Sequence, residues 1–138
     1  MNIQDIDRFE GEYFFLSNFF ESPITYKNFT YQTVEAAFQA QKEPGTEEKF
    51  AAMKPGKAKR EGLKVNLRSD WEAVKVQIMK DLLVLKFQDE ALKQKLLLTE
   101  PKEIVEGNNW GDCYWGVCEG KGKNVLGKLL MEVRQELK

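Results

Sequence analysis

The chain has 138 residues, with 21 basic and 22 acidic side chains giving a formal net charge of −1; this length fits one domain with a real core, and the balance excludes a global basic field for nucleic acid. Hydrophobic residues at 42% and charged residues at 31% exclude a disordered chain, and no apolar run reaches membrane-spanning length. There is no histidine, so histidine-based triads and histidine-ligated metals are excluded and any chemistry must run on carboxylates, amines, amides or hydroxyls, with the two cysteines as outside candidates.

Met1 to Asp7 has neither a basic nor an apolar targeting segment, so a cytoplasmic protein is expected, with Cys113 and Cys118 as reduced thiols. Tyr13 to Tyr31 is rich in Phe, Tyr and Thr with Pro23 and Asn28 as breakers, which predicts two short strands joined by a turn at the edge of a small sheet. Thr33 is a natural N-cap for a helix over Val34 to Lys42, ended by Glu43-Pro44-Gly45, and a charged helical stretch follows from Thr46 to Met53. Pro55-Gly56 restarts the chain before a short helix over Ala58 to Gly62. Ser69 and Glu72 have the spacing of a capping box. The long helix behind them carries Trp71, Val74, Ile78, Leu82 and Leu85 as one apolar stripe, which predicts a core face. Another helix runs from Asp89 to Leu98, and Ile104-Val105 and Tyr114 to Val117 read as short strands bracketing a polar loop. An amphipathic helix begins at Asn124, with Val125, Leu126, Leu129, Leu130 and Val133 on one side. The elements add up to a single α+β domain, mostly helical with a small β-sheet.

Glu35, Gln39 and Lys42 fall at i, i+4 and i+7 and so line one face of the Val34 to Lys42 helix. If that face looks into a cavity it presents an acid, an amide and an amine together, with Glu35 kept ionised by the helix N-terminus. The alternative is a solvated stripe with ordinary Glu-to-Lys pairing. The run Val105-Glu-Gly-Asn-Asn-Trp-Gly-Asp-Cys-Tyr-Trp-Gly-Val-Cys118 mixes acids, amides, aromatics and glycines in a way that suits a pocket wall. There Asp112 is a second carboxylate, and Trp110 and Trp115 are flat surfaces on which a ring can stack. A tight turn with Asp112 capping its own backbone is the structural alternative. Gly120-Lys-Gly-Lys-Asn124 precedes a helix, where free N–H groups and Lys123 can hold a phosphate, and Lys57, Lys59 and Arg60 form a second basic cluster. No metal site or cofactor is expected.

With Phe15-Leu-Ser-Asn-Phe19, Thr33-Val-Glu-Ala-Ala-Phe-Gln-Ala-Gln-Lys42, Arg68-Ser-Asp-Trp71, Asp112-Cys-Tyr-Trp-Gly116 and Asn124-Val-Leu-Gly-Lys-Leu-Leu-Met-Glu-Val-Arg134 in order, the chain resembles the YbiA-like, or NADAR, family from Phe9 to its end. The resemblance implies an α+β fold and hydrolysis of N-glycosidic bonds. It implies as substrate a small phosphorylated ribosylamine intermediate of riboflavin synthesis or, in other members, ADP-ribose attached to guanine, free or in ADP-ribosylated nucleic acid. A non-catalytic module binding NAD or ADP-ribose derivatives is the alternative from a different class. On this resemblance Glu35 stabilises charge or activates water, Asp112 transfers a proton, and Lys42 offers a Schiff-base route. Ser17, Asn18 and Gln39 hold sugar hydroxyls, Trp110 or Trp115 stacks on a base, and Arg60 with Lys123 meets phosphate.

Overall fold

The structure, a computed structural model, describes residues 4–138; Met1, Asn2 and Ile3, part of the stretch read for targeting, lie outside the described residues. The architecture is α+β and mostly helical. The backbone forms two compact units, Asn18–Gln88 and a second built from residues 4–17 with Asp89–Lys138.

In the first unit, β1 (Ile24–Tyr26) and β2 (Phe29–Tyr31) pair antiparallel with Ile24 opposite Tyr31. Lys27 and Asn28 both have positive φ, 49° and 75°, which is what a two-residue hairpin turn of this twist requires. Then come α1 (Val34–Gln41), α2 (Glu47–Ala51), α3 (Pro55–Glu61) and α4 (Trp71–Lys86). Thr33 caps α1 as expected, its Oγ1 accepting from Ala36 N–H at 3.1 Å. All eight residues of α1 are buried, and α1 packs against α2, α3 and α4. A helix this short has little stability alone, so it is held by burial of its own apolar side chains, with Val34 and Phe38 each worth roughly 1.5–3 kcal/mol.

Two expectations for this region need correction. The strands are confined to Ile24–Tyr31, because the aromatic stretch before them begins as a 3-10 helix, Gly11–Leu16, that buries Phe15 and Leu16 on one side. The capping box does not form. Asp70, not Ser69, precedes α4 and makes no cap bond; its carboxylate is taken by Arg68, at 2.6 and 3.1 Å, while Glu72 pairs with Lys75 at 2.8 Å. Nearby cations outcompete the backbone N–H groups for both acids. The α4 stripe itself is as read, with Trp71, Ile78 and Leu82 buried and Val74 and Leu85 half-buried.

The second unit holds the 3-10 helix, α5 (Glu90–Leu97), β3 (Gly107–Asn108), β4 (Val117–Cys118) and α6 (Val125–Glu136). Asp89 caps α5 by accepting from Leu92 N–H at 3.0 Å. Instead of one small sheet, the described residues form two two-stranded sheets, and β3 and β4 lie parallel and slightly beyond the segments that read as strands. Ile104 makes only an isolated parallel bridge with Ile6. Pairs this short leave no alternation in the sequence. The apolar face of α6 is buried through Leu126, Leu129, Leu130 and Val133. Arg134 fixes this helix to the turn that follows α5, donating to Thr99 Oγ1 at 3.0 Å and Lys102 O at 2.8 Å.

Candidate active site

Glu35 and Gln39 are 9% and 6% exposed, so the polar stripe of α1 is not a solvated one. Gln39 Nε2 donates to Glu35 Oε2 at 2.7 Å. A charge-assisted bond of this length fixes the carboxylate's orientation. Glu35 also lies in the first turn of α1, where the helix dipole favours its ionised form. Its backbone N–H donates to Asn18 O at 3.1 Å, which brings Asn18 beside the carboxylate's own residue.

Two acceptor oxygens in this neighbourhood have no hydrogen-bond partner among the described residues. Asn18 is 9% exposed; its Nδ2 donates weakly to Met79 Sδ at 3.6 Å, but Oδ1 is buried and unbonded, as is Gln39 Oε1. Such atoms cost roughly 1–3 kcal/mol each, and they suit a ligand that brings donors.

Lys42 sits at the end of α1, half-buried. Burial lowers its pKa below that of ordinary lysine, and the Glu35 charge opposes this only in part. Its Nζ lies 6.0 Å from the centre of the Trp71 ring, which packs tilted on Phe38 at 5.0 Å. Arg68 N–H donates to Lys42 O at 2.8 Å. The Arg68-Ser-Asp-Trp71 segment therefore closes the end of α1 and walls the lysine. The spacing of Trp71 predicts a core residue, and it is buried; its second role beside Lys42 has no periodic signature. Arg60 is exposed on α3.

The remaining sequence candidates belong to the second unit. Ser17 is half-buried and donates its N–H to Phe14 O at 2.9 Å. Asn108 organises the polar loop: its Nδ2 donates to Glu106 Oε2 and to Asp112 O, both at 2.9 Å, and its Oδ1 accepts from Asp112 N–H at 3.1 Å. Asp112 does cap its own turn, since Oδ1 accepts from Tyr114 N–H at 3.1 Å and Trp115 N–H at 2.9 Å. Both bonds fall on one oxygen, so capping leaves Oδ2 for other work. Trp110 is 58% exposed at the loop tip, and Trp115 meets Tyr114 edge to face at 5.0 Å.

The start of α6 is not a free anion site. The N–H groups of Lys123, Asn124, Val125 and Leu126 are already bonded to the carbonyls of Cys113, Gly116, Tyr114 and Trp115. What Lys123 can offer a phosphate is its side chain, exposed and 5.7 Å from the Tyr114 ring. The hub residue that the sequence reading passed over is Asn124, with φ 51°. Its side chain accepts from Glu106 N–H at 3.0 Å and donates to Ile104 O at 2.9 Å.

Comparison with known proteins places these motifs. The NADAR domain matches residues 7–138, across both units. The N-glycosidase YbiA of Escherichia coli is 44% identical over 128 residues, covering 88% of this chain and 79% of that protein. An N-glycosidase of Nostoc punctiforme is 36% identical over 131 residues, covering 88% of this chain and 84% of that one. A riboflavin biosynthesis protein of Vibrio vulnificus is 34% identical over 131 residues, covering 89% of this chain but 35% of that protein. The solution NMR structure of E. coli YbiA superposes with a TM-score of 0.84 at 39% identity, covering 99% of this chain and 87% of that chain. By match length, identity and fold, the chain belongs to the NADAR family, whose YbiA members are N-glycosidases, hydrolases of N-glycosyl compounds.

Proposed function

We propose that this protein hydrolyses the ribose C1–N bond of a small phosphorylated ribosylamine. The observation that carries the reading is the buried α1 stripe: an oriented carboxylate, Glu35, and an amine with lowered pKa, Lys42, on one helix face. Cleaving this bond develops positive charge at C1, which a fixed carboxylate stabilises better than water can, and the same carboxylate can take a proton from attacking water. Water then supplies the C1 hydroxyl, and the nitrogen leaves with a proton. The unbonded oxygens of Asn18 and Gln39 are acceptors, and ribose hydroxyls are matching donors. The name of the Vibrio vulnificus relative supports a substrate of the riboflavin-intermediate type.

Lys42 favours a covalent variant of the same reaction. Its lowered pKa enlarges the neutral amine fraction. That amine can attack C1 of the ring-opened sugar, expel the nitrogen base by transimination, and be freed when water hydrolyses the Schiff base. Asp112 as the acid for the leaving nitrogen, Ser17 at a hydroxyl, Trp110 or Trp115 at a base, and Arg60 and Lys123 at phosphate rest on the sequence motifs alone.

The test is mass-spectrometric detection of released amine from a ribosylamine phosphate, with ADP-ribosylated guanosine as a second arm and Glu35→Gln as control. Release that disappears in the variant supports the proposal. Release only from the ADP-ribosylated arm moves the substrate class, and no release from either leaves a binding module.

A further inference from the structure

Gly62 follows α3 with φ −63° and ψ −19°. Any L-residue adopts that geometry, and glycine there costs conformational entropy relative to alanine. The backbone gives no reason for glycine. The neighbouring side chain does: a Cβ at position 62 would collide with Gln39 Oε1 and lie 2.6 Å from Gln39 Cδ. Gly62 is itself buried. The Gln39 carboxamide thus occupies the volume that a side chain at 62 would fill.

We infer that Gly62 is a positioning residue for Glu35, acting through Gln39: the missing side chain at 62 is what lets the Gln39 amide donate to the Glu35 carboxylate. The carbonyl end of that amide has no hydrogen bond, so shape against Gly62, not a polar contact, holds this side in place. The orientation follows from charge, since a carbonyl oxygen turned toward the carboxylate would be repelled while the NH₂ group is attracted. A methyl group at 62 displaces the far end of a flexible side chain, so the fold survives while Glu35 loses the hydrogen bond from Gln39. The next contact, Ala58 O at 3.1 Å, is relieved by a small adjustment. The consequence for catalysis rests on the reading of Glu35 given above; the placement of Gln39 does not.

The experiment compares Gly62→Ala, Gln39→Ala and the double variant by kcat and KM on the ribosylamine phosphate, by thermal unfolding, and by the ¹H–¹⁵N signal of the Gln39 side-chain amide. That signal is identified by its loss in Gln39→Ala. Gly62→Ala is expected to move it to the position of a solvated glutamine and to lower kcat/KM roughly ten- to hundredfold, since the donor to Glu35 and the acceptor for a sugar hydroxyl are displaced together. The double variant is expected to be no slower than Gln39→Ala. In the Gln39→Ala background, where the collision is gone, Gly62→Ala raises the melting temperature because alanine favours the helical geometry. An unmoved Gln39 signal in Gly62→Ala, or kcat/KM losses that multiply in the double variant, overturns the inference. If the wild type cleaves no N-glycoside, the functional reading falls, and the amide signal and melting temperatures still decide the placement.

Discussion

Gln39 Nε2 and Glu35 Oε2, 2.7 Å apart on successive turns of one buried helix, make the carboxylate of this protein an oriented one. Glu35→Gln keeps the shape and allows an amide-to-amide hydrogen bond in the same place, so the variant is expected to fold with an unfolding midpoint near wild type. It removes the negative charge, and kcat is expected to fall by roughly 10²–10³ or more. Full turnover in a folded Glu35→Gln protein would remove Glu35 from the chemistry.

Lys42 gives the covalent route a distinct signature. Its pKa is lowered by burial, so the reactive amine fraction, and with it kcat, rises with pH toward that lowered value and levels off above it. Borohydride added during turnover is expected to fix the sugar on Lys42, located by peptide mass. Lys42→Arg retains a cation near Trp71 but offers no neutral amine, so the adduct and the turnover should vanish together. Turnover that persists in Lys42→Arg, with no adduct in wild type, would leave direct attack by water.

Asp112 separates capping from proton transfer. Asp112→Asn retains an Oδ1 acceptor for Tyr114 N–H and Trp115 N–H, so the loop is preserved while the acid is lost. Asp112→Ala loses both cap bonds and is expected to cost about 1–2 kcal/mol. A kcat loss of roughly 10²–10⁴ in Asp112→Asn at unchanged stability supports proton transfer. Wild-type kcat in Asp112→Asn, with instability only in Asp112→Ala, would reduce the residue to a cap.

Much of this was legible because it is local. The Thr33 cap, the α4 stripe and the apolar face of α6 follow from periodicity and capping chemistry, and the structure carries all three. The spacing of Glu35, Gln39 and Lys42 placed them on one face, but not whether that face was wet; only the packing of α1 among α2, α3 and α4 decides it. The capping box at Ser69 failed for a related reason, because Arg68 and Lys75 compete for the acids and spacing is blind to competitors. Helical spacing puts Trp71 in the core, where it lies, yet its nearness to Lys42 is a tertiary fact. The saturated N–H groups at α6 depend on carbonyls of Cys113 to Gly116 folding back, which no local rule predicts.

Lys86 is the sharpest conflict between residue type and place: it is 1% exposed, with Nζ 5.6 Å from the Phe20 ring and 5.4 Å from the Phe87 ring. Burial pushes its pKa down from 10.5 to about 7. In the unfolded chain a lysine stays protonated to about pH 10. Between about pH 7 and pH 10 the unfolded state therefore binds more protons than the folded one, and stability rises with pH by up to about 1.4 kcal/mol per unit. Below about pH 7 both states carry the charge, and the folded state bears its full desolvation cost. Lys86→Met keeps most of the buried stem without the charge. Its stability advantage over wild type, measured by urea unfolding, is expected to be largest at and below pH 7 and to shrink toward pH 10. Groups titrating identically in both proteins, Lys42 among them, cancel in the difference. A gap that stays constant from about pH 6 to pH 10 would mean that Lys86 titrates in the folded protein as it does in the unfolded chain.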